Sequence, residues 1–315
     1  MARIALLDDY QRIALSIADW SPLAGHTIVP FHDHLAEVDA LAERLRGFAA
    51  VGVMRERTPF PRTLIERLPD LKLIVTTGMR NASIDLAAAR ARGITVCGTE
   101  GTAWATVEFA WAAIMALVRH IAAEDRAMRA GHWQRTIGMQ LRGRTLGVVG
   151  LGRIGAEIAK LGQAFGMAVV AWSPNLTAER AQACGATLVD KDTLLKTADV
   201  VTLHVVLSER SRGMIGAREL GLMKRDAYLI NTSRGPIVEE AALLAALGER
   251  RIAGAALDVF DVEPLPAAHP LRTLPNVLLS PHRGYVADEG YRVFYRGMVE
   301  AMHAYFDARP IRVIA

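Results

Sequence analysis

Gly150-Leu151-Gly152-Arg153-Ile154-Gly155 is the most informative stretch of the chain because of what stands on either side of it. The run TLGVVG, starting at Thr145, leads directly into it and reads as a buried strand. After it, Ile154, Ile158, Leu161 and Phe165 fall on one face of a helix spanning 154–165. A lone G-x-G-x-x-G is a weak sign in a glycine-rich chain, but between a strand and a helix it becomes specific. Gly150 permits the tight turn, Gly152 lets the backbone approach a pyrophosphate, and Gly155 allows the helix to pack close to the sheet. The first helical turn, with Arg153 and Ile154, offers free N–H groups and a partial positive charge to that anion. The reading is a dinucleotide site on a βα unit.

Outward from this turn the same alternation continues. Upstream, Ile4–Leu7, Thr27–Pro30, Val51–Met54, Leu73–Thr76 and Ile94–Cys97 read as buried strands, with amphipathic pieces at Leu35–Leu45 and Leu86–Arg92. A long helical stretch runs from Ala103 to His120. Downstream come strands at Ala168–Trp172, Val200–His204, Tyr228–Asn231, Ala255–Val259 and Val277–Ser280, then a helix from Glu289 to Ala308, ahead of Pro310. Strands alternating with helices predict parallel sheets covered on both faces. The fold class is therefore α/β, with two doubly wound parallel-sheet domains. A length of 315 residues suits two domains. No Ser/Gly-rich linker separates them, so the long helices at the junctions are read as the hinge. The last thirty residues are expected to return to the first domain, giving 1–99 plus 286–315 as a substrate domain and 100–285 as a dinucleotide-binding domain.

Composition narrows the function. The formal charge is +4, and the Lys and Arg residues are spread along the chain rather than gathered in a nucleic-acid-binding arm. Two cysteines, Cys97 and Cys184, are too few for a disulfide framework. They have no metal spacing, and their apolar surroundings suggest buried side chains. The N-terminus, MARIALLDDY, lacks a signal-peptide core. The longest apolar stretch, Trp104 to Val118, carries Glu108 in its middle and is too short for a bilayer. The expectation is a cytoplasmic protein with no metal, nucleic-acid or membrane partner.

The strand after the glycine motif ends Ala171-Trp172-Ser173-Pro174. An acid in this region normally holds the adenosine ribose. Ser173 can hydrogen-bond a ribose but neither rewards the 2′-hydroxyl strongly nor repels a 2′-phosphate. NAD is favoured, since no Arg directly follows Ser173, and NADP is also admitted. Three later segments end strands with reactive side chains: Asn231-Thr232-Ser233-Arg234-Gly235, Leu257-Asp258 through Glu263-Pro264, and Ser280-Pro281-His282-Arg283-Gly284. Strand carboxyl ends open on the ligand crevice of a doubly wound sheet. Carbonyl reduction needs a cation to grip a carboxylate and polarise the carbonyl, which suits Arg234. It needs an acid for the nascent alkoxide, which suits His282, and an anion that favours the imidazolium, which suits Glu263. Each has a structural alternative: a surface ion pair for Arg234, solvation for Glu263, a cap for His282.

Over essentially its whole length the chain resembles the D-isomer-specific 2-hydroxyacid dehydrogenases. GLGRIG, HVVL at His204, NTSRGPIVEEAAL, GAALDVFDVEPLP and SPHRGY look like that family's signatures in order. The resemblance implies a Rossmann cofactor domain inserted in a flavodoxin-like catalytic domain, and a homodimer built through the cofactor domain. It implies Arg234, Glu263 and His282 as the catalytic set. It also implies Asp258 near the nicotinamide carboxamide, with Val205 and Thr232 lining the cofactor cleft. His204 and Gly284 join the cofactor set through their motifs. The substrate would be a small 2-keto acid or D-2-hydroxy acid such as glyoxylate, hydroxypyruvate or phenylpyruvate. The alternative within the family is a dinucleotide-sensing corepressor, against which stands the lack of a long disordered flank. Glu263 argues against a formate dehydrogenase, and the regulatory domain of the long phosphoglycerate dehydrogenases is not expected.

Departures from the family pattern are informative. Gly78-Met79-Arg80-Asn81-Ala82-Ser83-Ile84-Asp85 stands where G-x-G-x-D-N-I-D is common. Gly78, Met79 and Arg80 are therefore assigned to the substrate, with Arg80 either a second cation for it or a structural ion-pair partner. Arg55 and Arg57 match arginines that some relatives use for anionic substrates, or are surface charges. Arg283 follows the histidine where a small or apolar residue is usual.

Overall fold

The computed structural model describes residues 1–315, which divide into two compact units, Met1–Thr102 with Val286–Ala315, and Ala103–Tyr285. The first unit holds β1 (Arg3–Leu6), β2 (Thr27–Pro30), β3 (Ala50–Val53), β4 (Leu73–Thr76) and β5 (Thr95–Gly98) in one parallel sheet of order β2-β1-β3-β4-β5. β3 and β4 are buried at every position, as near-continuous apolar runs require when helices cover both faces. The helix Asp288–Phe306 packs on β4 and β5 and buries Tyr291, Phe294, Tyr295, Met298 and Met302. Each such side chain contributes about 1.5–3 kcal/mol of transfer free energy. Beyond this helix the chain runs antiparallel along β5. Val96 N–H donates to the Ala315 carbonyl (2.7 Å), Ile314 N–H to that of Val96 (2.7 Å), and Gly98 N–H to that of Arg312 (2.9 Å).

The second unit holds β6 (Thr145–Val149), β7 (Ala168–Trp172), β8 (Thr187–Leu188), β9 (Val200–Leu203), β10 (Tyr228–Asn231), β11 (Gly254–Leu257) and β12 (Val277–Leu279). All pairings are parallel, in the order β12-β11-β10-β9-β6-β7-β8. The chain leaves β6 toward β7 and β8, then crosses back to β9, so the strand order reverses between β6 and β9. The carboxyl ends of those two strands flank the switch point at which such sheets bind ligands. Trp104–Val118 and Arg153–Ala164 cover one face of the sheet, with Val107, Ala110, Ile114, Ile158 and Ala159 in their shared core.

Most expected strands lie within a residue or two of those observed. The stretch 103–120 differs: its helix ends at Val118 because His120 takes a left-handed backbone (φ 54°). A separate helix, Ile121–Arg129, then follows, and no residue of it is buried. The helix expected over 35–45 begins only at Val38. Cys97 is buried as anticipated, but Cys184 is half-buried because it caps the short helix Ala178–Ala183. No single helix is long and apolar enough to cross a membrane.

Candidate active site

Each glycine of the β6 turn is required for a different reason. Gly150 has φ +98°, and a Cβ there would lie 2.7 Å from the His204 carbonyl carbon and 2.8 Å from Val205 Cγ1. A Cβ on Gly155 would collide with the Gly150 carbonyl oxygen. Gly152 is extended, and nothing lies within 4 Å of where its side chain would be. The protein therefore packs against Gly150 and Gly155 but leaves the space at Gly152 open. Arg153 begins the helix at that opening, is exposed, and pairs with no acid. A cation at a helix N-terminus is unfavourable by itself, so the position suits an arriving anion. The neighbouring Ile154 packs on the core and anchors the helix start. Gly152→Ala should leave the melting temperature nearly unchanged, because the added methyl meets nothing in the fold. It should raise the Kd for NADH by about tenfold or more, a loss of roughly 1.4 kcal/mol. Calorimetric titration and a melting curve check both halves.

Around this cradle, Ser173 and Pro174 follow β7 in a turn closed by Leu176 N–H donating to the Ser173 carbonyl (3.1 Å). His204 places Nε2 2.8 Å from Thr202 Oγ1, and desolvation pushes its pKa down to about 4. His204 is thus neutral across the physiological range. Thr232 is buried, and its hydroxyl has no hydrogen-bond partner within the chain. With Asp258 and Ser280 it lines an otherwise apolar pocket of about 200 Å³, partly open to solvent. Buried hydroxyls are rarely left unpaired, so a ligand group fits here as it fits at Gly152.

Arg234 follows β10 in extended conformation. Its loop is fixed by Asn231, whose Nδ2 donates to the Arg234 carbonyl (2.9 Å) and whose Oδ1 accepts from Ser233 N–H (3.1 Å). Ser233 Oγ in turn donates to the Leu203 carbonyl (2.7 Å). A Cβ on Gly235 would overlap the Phe260 carbonyl and lie 2.6 Å from Asp261 N. The Arg234 loop and the β11 loop are therefore in backbone contact. On that second loop Glu263 accepts Phe260 N–H at Oε1 (2.9 Å), and its Oε2 lies 2.6 Å from His282 Nδ1. With both carboxylate oxygens accepting, Nδ1 of His282 carries the proton and Nε2 is left for a reactant.

His282 itself has φ +50°, a left-handed conformation that is strained for a residue with a side chain. Asp258 holds the turn that keeps it there. Its carboxylate oxygens accept the N–H groups of Arg283 (2.7 Å) and Gly284 (2.8 Å). Burial pushes the Asp258 carboxyl above the usual range, and these amides with the Ser280 hydroxyl work against that rise. Tyr285 meets the His282 ring edge to face at 5.5 Å. Arg234, Glu263 and His282 thus stand on three neighbouring strand ends of one sheet. The supporting roles of Asn231 and Ser233 were not read from the sequence, although N-x-S after a strand is a turn signal that could have found them.

In the first unit, Gly78 (φ +80°) donates its N–H to Thr99 Oγ1 (2.9 Å), and the next two amides, of Met79 and Arg80, donate to no group of the chain. Arg55 lays its guanidinium against Gly78 where a side chain would otherwise stand. Asn81 fastens the loop, donating to the Arg55 carbonyl (2.7 Å) and to Thr76 Oγ1 (2.9 Å). Arg80 is exposed and pairs with no acid, so the structural ion-pair reading of this residue finds no partner.

Residues 111–284 match the family model described as the D-isomer specific 2-hydroxyacid dehydrogenase, NAD binding domain. The chain belongs to the D-isomer-specific 2-hydroxyacid dehydrogenase family. It is 40% identical over 229 residues to a glyoxylate reductase of Aeropyrum pernix, covering 70% of this chain and 68% of the relative. To a D-3-phosphoglycerate dehydrogenase of Synechocystis it is 36% identical over 296 residues, 92% of this chain. That match spans only about half of the relative's length (51%). A solved structure from Ralstonia solanacearum, titled a putative D-3-phosphoglycerate dehydrogenase, superposes with a TM-score of 0.95 at 34% identity. It covers 100% of this chain and 98% of its own. This dehydrogenase is accordingly a nicotinamide-dependent oxidoreductase of hydroxy and keto acids. The enzyme names of its relatives do not favour the corepressor reading.

Proposed function

We propose that the protein reduces a small 2-keto acid to the D-2-hydroxy acid, or runs the reverse, with Arg234, Glu263 and His282 as its catalytic residues. The observation that carries this is the 2.6 Å pair of Glu263 and His282 beside the Arg234 loop, at the carboxyl edge of the Ala103–Tyr285 sheet. NADH supplies the hydride when bound. Gly150, Gly152, Arg153, Ile154 and Gly155 would hold its pyrophosphate. Ser173 and Pro174 would meet the ribose, and His204, Val205, Thr232, Asp258 and Gly284 would surround the nicotinamide end. Arg234 grips the substrate carboxylate and polarises the carbonyl. The amides and side chains of Gly78, Met79 and Arg80 supply further anchorage for the carboxylate. His282 gives its Nε2 proton to the nascent alkoxide oxygen, and Glu263 orients the ring through Nδ1.

On this reading the Met1–Thr102 and Val286–Ala315 unit binds substrate and the Ala103–Tyr285 unit binds the dinucleotide, in the cytoplasm. NAD is preferred, since Ser173 is followed by no cation that would recognise a 2′-phosphate. The protein is a homodimer, a reading supported by the helix Ile121–Arg129 and the loop after it. There Met128 (63%), Trp133 (74%) and Ile137 (96%) are far more exposed than a lone chain favours. Oxidation of NADH and NADPH against a panel of 2-keto acids tests the activity, and no turnover of any acid would end the proposal.

Glu263→Gln keeps the shape of the pair but removes its charge. Glutamine can still accept from Nδ1 but carries no negative charge to hold the ring in place, so turnover of keto-acid reduction should fall about tenfold or more while NADH binds as before. Wild-type turnover in this variant would show that the carboxylate of Glu263 does not support His282.

A further inference from the structure

The carboxyl end of β1 carries a polar construction that the catalytic assignment does not use. Asp8 and Asp9 are both buried, at 1% exposure each. Asp8 Oδ1 lies 3.0 Å from His34 Nδ1, and Asp8 Oδ2 accepts Thr58 Oγ1 at 2.7 Å. Asp9 caps the next turn, accepting Ile13 N–H (3.0 Å) and Ala14 N–H (3.2 Å) at Oδ1, while its Oδ2 faces His32 Nδ1 at 3.2 Å. Two residues with side chains, Asp8 (φ +59°) and Arg12 (φ +57°), are left-handed within this one segment, and Arg55 (φ +53°) follows the adjacent β3. Left-handed residues of this kind cost roughly 1–3 kcal/mol each and gather where surrounding structure enforces them, commonly at functional sites.

What this construction presents is Tyr10. Its ring covers the Arg57 guanidinium at 4.9 Å, and its hydroxyl donates to Asp8 Oδ1 at 3.4 Å. Arg57 is held from behind, donating to the Asp8 carbonyl (3.0 Å) and to Tyr291 Oη (3.3 Å). Burial and the Asp8 carboxylate push the Tyr10 phenol up to about 12, so the ring stays neutral. Yet Tyr10 remains 42% exposed. A large flat ring, locked in place and left open, is the form a recognition surface takes, because little ordering entropy remains to be lost on contact. On the same carboxyl edge, after β4, Met79 is also held out at 46% exposure, beside its own free amide. The edge thus combines an anchor for an anion with exposed apolar surface.

We infer that Tyr10 is a specificity-determining residue that receives the substituent on C3 of the keto acid, and that the chain takes 2-keto acids with an aromatic or other bulky apolar substituent in preference to glyoxylate. The inference rests on the function proposed above. Aromatic contacts of this kind discriminate by roughly one order of magnitude.

The test uses purified protein with NADH and compares phenylpyruvate with glyoxylate by steady-state kinetics. In the wild type, kcat/KM should be higher for phenylpyruvate. In Tyr10→Ala the phenylpyruvate-to-glyoxylate ratio of kcat/KM should fall about tenfold, chiefly through KM, the mark of lost uniform binding. Tyr10→Phe, which keeps the ring, should preserve most of the ratio. Tyr10→Leu, which keeps bulk without a flat face, should lower it and serves if the alanine variant does not fold. A ratio unmoved in Tyr10→Ala or Tyr10→Leu overturns the inference while leaving the proposed activity intact. A wild type that prefers glyoxylate does the same. A wild type that reduces neither acid overturns both.

Discussion

His282→Ala should lower the turnover of 2-keto acid reduction by about 10²–10⁴-fold, the usual worth of a positioned general acid, while NADH binds nearly as it does to the wild type. The expectation follows from the separation of tasks around the ring. The glycine turn after β6 makes no use of His282, so removal of the imidazole leaves the dinucleotide cradle whole. Nδ1 is committed to Glu263 at 2.6 Å, so Nε2 is the nitrogen left to deliver a proton. The other histidine near the switch point cannot replace it, because desolvation holds His204 neutral, with a pKa near 4. His282→Asn would keep a hydrogen-bonding side chain without a titrating group, and should fall in the same range. Kinetics at saturating keto acid with a fluorescence titration of NADH separate the two effects. Wild-type turnover in either variant would remove His282 from the mechanism.

The second large effect is expected at Gly235, where no reactive group is touched. Adding a methyl here drives it into the Phe260–Asp261 peptide, 2.6 Å from the amide nitrogen. Peptide planes cannot rotate aside as a flexible side chain can, so one loop must move. Overpacking of this kind costs about 1–3 kcal/mol. At roughly 2–4 °C per kcal/mol for a domain of this size, the melting temperature should drop by several degrees. The loops that part carry Arg234 and Glu263, and a displacement near 1 Å at reacting groups can cost on the order of 10²-fold. Gly235→Ala should therefore lose both stability and kcat/KM, whereas Gly152→Ala loses nucleotide affinity with its fold kept. A Gly235→Ala protein with the wild-type melting point and activity would show that the loops are not locked together.

Much of this architecture was legible because parallel strands buried on both faces leave short apolar runs that hydropathy alone locates. The glycine motif was legible because its strand and helix flank it in sequence. Less legible were features set by distant partners. Nothing local distinguishes Asp258 as the acceptor for the amides of Arg283 and Gly284, which lie some 25 residues onward and meet it only when β11 pairs with β12. The left-handed His120 that ends one helix early belongs to no strong turn signal. The Asp8–His34 contact joins residues 26 apart and depends on β1 and β2 pairing in parallel. Arg80 could be singled out in the sequence, but its lack of an acid partner is a property of the folded surface alone.

The discontinuity of the first unit gives biosynthesis a direction. A ribosome releases β1 to β5 first, yet those strands cannot complete their core until the helix Asp288–Phe306 and the segment that runs along β5 have been made. The unit from Ala103 to Tyr285 is continuous in the chain and is finished before them. Domains usually mature from the N-terminus onward during synthesis; here the later half is complete while the earlier one still waits, with the open edge of β5 a temporary hazard for pairing with other strands. A chaperone acting on nascent chains would find its binding surface in the first hundred residues, and would lose it only when the last thirty arrive.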